Sequence, residues 1–100
     1  MWRPIFDTSQ IKPGQIKSVT IDGRAIAIYN VEGEIYATGD TCSHEQVSLS
    51  EGYLDGCVVE CDAHGAKFDI RTGEVKSLPA TVGIKTYPVK IENGVIHINY

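Results

Sequence analysis

The sequence has few cysteines and no long apolar run, and both shortages narrow what the protein can be. Its 100 residues include three Cys, too few for the disulfide framework that stabilises small secreted domains. No run of about 18 apolar residues could cross a bilayer, and the N-terminal residues lack the apolar segment of a signal peptide. We therefore expect a protein of the reducing cytoplasm, without a membrane anchor.

Positive charge is also scarce. The sequence has nine Lys and Arg against thirteen Asp and Glu, which gives a formal net charge of −4 at pH 7 and a pI near 5.2. Nucleic acids and anionic membranes are bound by basic surfaces that displace counterions. We therefore expect no nucleic-acid and no membrane partner, but a partner protein with a basic surface.

A sustained apolar pattern at helical spacing is missing as well, and so are internal repeats and low-complexity segments. Short apolar runs are separated instead by Gly-containing turns, namely Asp22-Gly23, Glu32-Gly33, Asp55-Gly56 and Asn93-Gly94. Asp-Gly and Asn-Gly favour tight hairpins because both of their positions tolerate positive φ. A hydrophobic content of 42% is enough for one modest core. The sequence therefore predicts a single all-β domain over residues 1–100.

Strands are predicted after a polar entry that ends at Lys12-Pro13-Gly14. Their ranges are 15–21, 25–29, 35–37, 53–54, 57–60, 67–70, 74–75, 84–91 and 95–100. In the strand 84–91, the alternation of Tyr87, Val89 and Ile91 predicts that these side chains share one face. Pro88 favours an edge position for this strand, because proline cannot donate to a sheet ladder.

The middle of the chain holds Cys and His residues at metal-ligand spacing. Cys42-Ser43-His44 is followed, after sixteen intervening residues, by Cys61-Asp62-Ala63-His64. Two thiolates and two imidazoles suit either a zinc ion or an iron–sulfur cluster. Structural zinc sites usually keep like ligands together in each close pair, whereas both pairs here mix Cys with His. The mixed pairs favour a cluster in which Cys ligands bind one iron and His ligands bind the other.

At these residues the chain resembles the Rieske-type ferredoxins of bacterial aromatic ring-hydroxylating dioxygenases. The resemblance continues through LSEGYLDG at 49–56, GAKFD at 65–69, RTG at 71–73 and LPA at 78–80. It implies an antiparallel β-sandwich base with a small inserted cluster-binding subdomain at roughly residues 41–78.

The resemblance also implies the cofactor and its ligands. We expect one [2Fe-2S] cluster per chain, bound by Cys42 and Cys61 as thiolates and by His44 and His64 through Nδ1. Cys57 is expected to be a small buried hydrophobe rather than a ligand.

The function implied is that of a one-electron carrier with no catalytic residue of its own. It would pass electrons from a flavin-containing NAD(P)H reductase to a terminal Rieske non-haem iron dioxygenase, and we expect it to act as a monomer. A catalytic oxygenase would need a second iron site with two His and a carboxylate, and His97, expected on a sheet surface, is the one His left. A Rieske ferredoxin for another acceptor, such as a monooxygenase, a small subunit resembling that of nitrite reductase, and a zinc-stabilised β module remain alternatives.

Several positions differ from those of respiratory Rieske proteins in a way that bears on potential. Val47 and Ala63 stand where those proteins carry an extra disulfide, and Ala66 stands where a Ser hydroxyl bonds a sulfide. Fewer donors to sulfur leave the reduced cluster less stabilised, and Glu45 and Asp62 add negative charge beside the ligands. We therefore expect a potential near the low end of the Rieske range, about −150 mV.

Overall fold

The computed structural model describes residues 1–41, 48–61, 65–77 and 82–100. Within them the chain forms eleven strands, two short 3-10 turns at Thr8–Gln10 and Leu49–Glu51, and no α-helix. The strands are β1 Trp2–Asp7, β2 Ile16–Ile21, β3 Arg24–Val31, β4 Glu34–Gly39, β5 Tyr53–Asp55, β6 Val58–Glu60, β7 Lys67–Asp69, β8 Val75–Ser77, β9 Thr86–Tyr87, β10 Val89–Glu92 and β11 Val95–Asn99. In the described ranges no helix is long and apolar enough to cross a membrane.

The strands pair into three antiparallel sheets. Two of them have the strand orders β1-β11-β10 and β2-β3-β4-β9, and they enclose a core rich in isoleucine. We call this pair of sheets the base. The third has the order β5-β6-β7-β8 and is built from the chain between the base strands β4 and β9; we call it the small sheet.

Strand β3 separates two hydrophobic cores. Residues 26–29 are all 0% exposed, and successive side chains on a strand point to opposite faces. Ile26 and Ile28 accordingly pack in the core of the base against isoleucines of β11. Ala27 and Tyr29 pack on the other side, against β6 and β7 of the small sheet. This burial on both faces explains why β3 is a continuous apolar run rather than an alternating one.

The hairpin turns predicted in the base are confirmed. Asp22, Glu32 and Asn93 each adopt a positive φ of 50° to 52°, and each is followed by a Gly with positive φ. The turns join β2 to β3, β3 to β4 and β10 to β11 in antiparallel pairs.

The prediction of a polar, non-strand entry is wrong for the first residues. Trp2–Asp7 forms strand β1, which pairs with β11 and lies at the edge of its sheet. Pro4 is tolerated there because an edge strand leaves one row of N–H positions without a ladder partner. Its partners in β11 lie 88 to 97 positions away along the chain, so no local sequence pattern predicts the pairing.

The prediction of one strand over 84–91 is also wrong, because the chain changes sheets at Pro88. Thr86–Tyr87 pairs with β4, whereas Val89–Glu92 pairs with β11. Both strands lie at sheet edges, as the proline indicated. The change of sheet breaks the predicted alternation, so that Tyr87 is 8% exposed but Ile91 is 47% exposed.

Candidate metal centre

Of the ligands predicted from the sequence, Cys61 lies among the described residues. Cys42 and His44 fall within 42–47, and His64 falls within 62–64, outside the described ranges. Cys61 follows directly after β6 and is 1% exposed. The ligand set therefore stays a prediction, and the residues that flank it show how the site is framed.

The turn after Cys61 is closed by hydrogen bonds at both of its ends. The Cys61 N–H donates to the Ala66 carbonyl at 2.7 Å, and the Gly65 N–H donates to the Cys61 carbonyl at 3.1 Å. Gly65 has a φ of +75°, which glycine adopts without steric cost. The Cys61 side chain packs in the core with Leu49 and Phe68, both 0% exposed. The thiol thus lies in an apolar place from which water is largely excluded.

The first Cys-His segment, residues 42–47, is also held at both ends. Thr41 and Ser48 form an antiparallel bridge. The Leu49 N–H donates to the Asp40 carbonyl at 2.6 Å, which extends the bridge by one step. The six residues between Thr41 and Ser48 therefore start and finish at neighbouring points of the fold.

The chain that follows the first Cys-His segment meets the strand that leads to the second at Gly52. A Cβ added to Gly52 would collide with the Glu60 carbonyl oxygen, so the backbone leaving the first segment runs directly against the residue before Cys61. Tyr53 pairs with Glu60 in the same place. Ser77, at the end of β8, adds a hydrogen bond to the Gly65 carbonyl at 3.3 Å. Both segments are thus anchored at one end of the small sheet, as a site with donors from both requires.

A buried carboxylate lies at the base of the first segment, and the sequence analysis missed it. Asp40 is 2% exposed. Its carboxylate accepts hydrogen bonds from the Ser18 Oγ at 2.7 Å, the Ser50 N–H at 2.8 Å and the Ser50 Oγ at 3.1 Å. An Asp between a predicted strand and a ligand was the available signal, but the contact with Ser18 on β2 cannot be read from the sequence.

The hydroxyl of Tyr29 is buried beneath the same region. Thr38 donates to the Gly39 carbonyl at 2.8 Å, so the Tyr29 hydroxyl, 2.8 Å from Thr38 Oγ1, acts as the donor in that pair. Burial raises the pKa of Tyr29 far above its usual value. The Thr38 hydrogen bond opposes this rise, and the charge of Asp40 adds to it. Tyr29 therefore stays neutral and serves as a structural anchor.

The turn between β7 and β8 is held by an ion pair. Asp69 is 3% exposed, and its carboxylate accepts from the Arg71 N–H at 2.9 Å, Nε at 3.1 Å and Nη2 at 2.9 Å. These hydrogen bonds from Arg71 lower the pKa of Asp69, against the opposing effect of burial. The paired charge fixes the far end of the small sheet.

Cys57 and His97 occupy structural positions. Cys57 packs at the margin of the small-sheet core, where it is half-buried rather than buried as expected. His97 lies in β11 and is half-buried, with Nδ1 3.1 Å from the Val95 carbonyl. Neither residue lies in the Cys-His segments.

The described residues fit an iron–sulfur group. Thiolate and imidazole donors suit iron in such clusters, and a thiolate as buried as that of Cys61 would be costly without a metal to bind it. Ala66 is 0% exposed and carries no hydroxyl, so this position beside the second segment offers no side-chain donor to a sulfide.

The comparisons with known proteins agree with this geometry. The Rieske [2Fe-2S] domain model matches residues 1–88. The chain is 47% identical over 92 residues to the ferredoxin component of the naphthalene 1,2-dioxygenase system of Pseudomonas putida, covering 92% of this chain and 88% of that protein. It is also 47% identical to the biphenyl dioxygenase ferredoxin subunit of Pseudomonas sp. strain KKS102, covering 91% of this chain and 84% of that protein.

Solved structures give the same result. A chain from the complex of reduced oxygenase and oxidized ferredoxin in carbazole 1,9a-dioxygenase matches with a TM-score of 0.93 at 40% identity, covering 97% of this chain and 91% of that one. The predicted all-β fold, a Rieske-type antiparallel sandwich base with a small inserted sheet, is thereby confirmed. The chain belongs to the Rieske [2Fe-2S] domain family.

Proposed function

We propose that this protein is the ferredoxin of a multicomponent oxygenase system, a one-electron carrier rather than an enzyme. It accepts an electron from a flavin-containing NAD(P)H reductase and passes it to a terminal Rieske non-haem iron dioxygenase. The observation that carries the proposal is the similarity, at 47% identity over 92 residues, to proteins named as ferredoxin components of such systems.

The proposed ligands are Cys42, His44, Cys61 and His64, around one [2Fe-2S] group per chain. When bound, this group supplies reversible one-electron storage. The chain's own residues do the rest: Cys61 lies in a dry apolar core, and the hydrogen bonds at its turn hold the backbone in place. A site framed this firmly should change little in shape when its charge changes, which favours fast transfer.

The aromatic substrate is expected to be set by the oxygenase and not by the carrier. Relatives with equal identity to this chain are named for naphthalene and for biphenyl systems. A carrier never touches the ring that is oxidised, so its sequence can be shared across substrates. We expect the carrier to act in the cytoplasm, because NAD(P)H is available there. We also expect it to act as a monomer.

The proposal is tested by purification and reconstitution. The protein should be red-brown, contain about two irons and two sulfides per chain, and show a Rieske EPR signal when reduced. Adding it to a ferredoxin reductase and the terminal oxygenase of a naphthalene or biphenyl system should make NADH-dependent product formation depend on its concentration.

The alternatives predict different results. A zinc-stabilised β module would be colourless, would contain zinc in place of iron and would give no EPR signal. A Rieske ferredoxin for another acceptor would carry the cluster but leave the dioxygenases without electrons. The first result would refute an electron carrier, and the second would refute the dioxygenase as its acceptor.

A further inference from the structure

We propose that the buried carboxylate of Asp40 lowers the reduction potential of the metal centre by fixing a negative charge at the base of the first Cys-His segment. The inference rests on the proposed function, because it requires a [2Fe-2S] group at that segment. It assigns control of potential to a residue that is not a ligand.

Asp40 is held close to the proposed ligand Cys42. Two residues of extended chain span about 7 Å between Cα atoms at most, so the carboxylate stays near that ligand. Its backbone is fixed on both sides, because the Asp40 N–H donates to the Ala25 carbonyl at 3.0 Å and the Asp40 carbonyl accepts from the Leu49 N–H at 2.6 Å. The charge therefore cannot swing away without breaking the ladder that closes the segment.

The surroundings of the carboxylate suit its ionised form. The Ser50 N–H donates to one oxygen at 2.8 Å, and the hydroxyls of Ser18 and Ser50, 2.7 Å and 3.1 Å from the other oxygen, are placed to donate to it. Among the described residues no Lys or Arg forms an ion pair with Asp40. With 2% of the residue exposed, water screens the charge weakly.

A fixed, unneutralised negative charge opposes the arrival of an electron. Removing the charge of Asp40 should therefore favour the reduced state. At a separation of about 10 Å and an effective dielectric constant of about 20, the change in the ratio of reduced to oxidised protein is roughly tenfold, which corresponds to about 59 mV for one electron.

Asp40→Asn separates charge from shape. The amide is the same size as the carboxylate, its oxygen can still accept from the Ser50 N–H, and its NH₂ can donate to the hydroxyls of Ser18 and Ser50, which accept as readily as they donate. Asp55→Asn is the matched control, because Asp55 is an exposed carboxylate at the end of β5 remote from Gly52 and the Cys-His segments.

The experiment begins with iron, sulfide and EPR measurements on the wild type. A wild type without a cluster would overturn the proposed function and, with it, this inference. With the cluster present, voltammetry should show a potential about 59 mV higher in Asp40→Asn and unchanged in Asp55→Asn. An Asp40→Asn protein with a native EPR signal and an unchanged potential would overturn the inference alone.

A second variant covers the case in which Asp40→Asn does not hold iron. Ser18→Val keeps the charge of Asp40 but removes one hydroxyl that partly compensates it, and valine fills the space that water could otherwise take. The inference then requires a potential below that of the wild type. A Ser18→Val protein with the wild-type potential would contradict it.

Discussion

The base and the small sheet are stabilised in different ways. Strands β1 to β4 and β11 of the base have five to eight residues, and its core is mostly isoleucine. Each strand of the small sheet has three residues, and its ends are fixed by close backbone approach at Gly52 and by the Asp69–Arg71 pair. Such short strands are marginal by themselves.

The difference suggests a division of labour between hydrophobic burial and metal binding. Burial of isoleucine stabilises the base whether or not a metal is present. The small sheet carries the proposed ligands, and metal binding to them contributes folding free energy directly. We expect the base to fold without the cluster and the small sheet to depend on it.

The sharpest way to break this comparison is to remove a proposed ligand. In His44→Ala, and likewise in His64→Ala, the Rieske EPR signal should disappear, and amide protection in β5 to β8 should fall to near that of a loop while β2 to β4 stay protected. Hydrogen exchange with mass spectrometry measures both regions in one experiment.

Cys57→Ser is the control for that experiment, because it changes a thiol of the small sheet that is not a proposed ligand. Iron content and EPR signal should be those of the wild type. A native EPR signal in a His variant would remove that residue from the ligand set, and uniform loss of protection would show that the two regions unfold together.

The next largest effect is expected at Gly73. It has a φ of +81°, and a Cβ there would collide with the Ile84 carbonyl, where the Ile84 N–H also donates to the Gly73 carbonyl at 2.9 Å. Gly73→Ala should lower the free energy of unfolding of the small sheet by about 2–4 kcal/mol.

Gly94→Ala provides the comparison in the base. Gly94 has a nearly equal φ of +77° but no neighbour within 4 Å of an added Cβ, so only backbone strain of about 1 kcal/mol is expected. Denaturant unfolding of both variants isolates the steric part as their difference. Equal losses would mean that the contact with Ile84 yields easily.

A smaller effect is expected from pH through Asp69. Because Arg71 lowers the pKa of Asp69 in the folded state, its stabilisation is complete above the ordinary Asp pKa near 3.9 and is lost as pH falls through the lowered value. Asp69→Asn should cost about 1–2 kcal/mol at pH 7.

The pH series provides its own control. The difference in unfolding free energy between the wild type and Asp69→Asn should shrink below pH 4, where the Asp69 carboxylate of the unfolded chain takes up its proton before that of the folded chain. A difference that stays constant down to pH 2 would assign the loss to packing rather than to charge.

The smallest effect is expected from surface charge near the proposed site. Glu45→Gln with Asp62→Asn, at positions outside the described residues, removes two charges beside the proposed ligands. If a basic acceptor docks there, electron transfer should slow several-fold and depend less on ionic strength. Glu32→Gln with Asp55→Asn removes two exposed charges, one in the turn between β3 and β4 and one at the end of β5. This control should change neither quantity in stopped-flow measurements.

Most of the fold could be predicted because its signals are local. The turns at Asp22, Glu32 and Asn93 are specified by the residues that adopt positive φ, and the middle of β3 is recognisable by its apolar run at 25–29. Strand β1 could not be predicted, because its pairing with β11 depends on the opposite end of the chain. The change of sheet at Pro88 could not be predicted either, because it depends on the positions in space of β4, which pairs with β9, and of β11, which pairs with β10.

The candidate site divides in the same way. The proposed ligands were found from the sequence because their Cys and His spacing is typical of metal sites. Cys61, the one of them that the structure describes, is buried. Asp40 was missed because its hydrogen bond with Ser18, 22 positions earlier in the chain, depends on the pairing of β2 with β3 and of β3 with β4. Ligands can be read from spacing, whereas the groups that hold them depend on tertiary contacts.

The two-sided burial of β3 has a consequence for grafting the centre onto another protein. Ala27 and Tyr29 of β3 cover one side of the small-sheet core, although they lie well before the inserted segment in the chain. A chimera that transfers only residues 41–78 to a new β-scaffold would lack Ala27 and Tyr29, and Phe68 and Val59 would be exposed to water. The transferred segment should fold against a host strand that places a small residue and a tyrosine on the face that contacts it. It should not fold against a host strand with polar residues on that face.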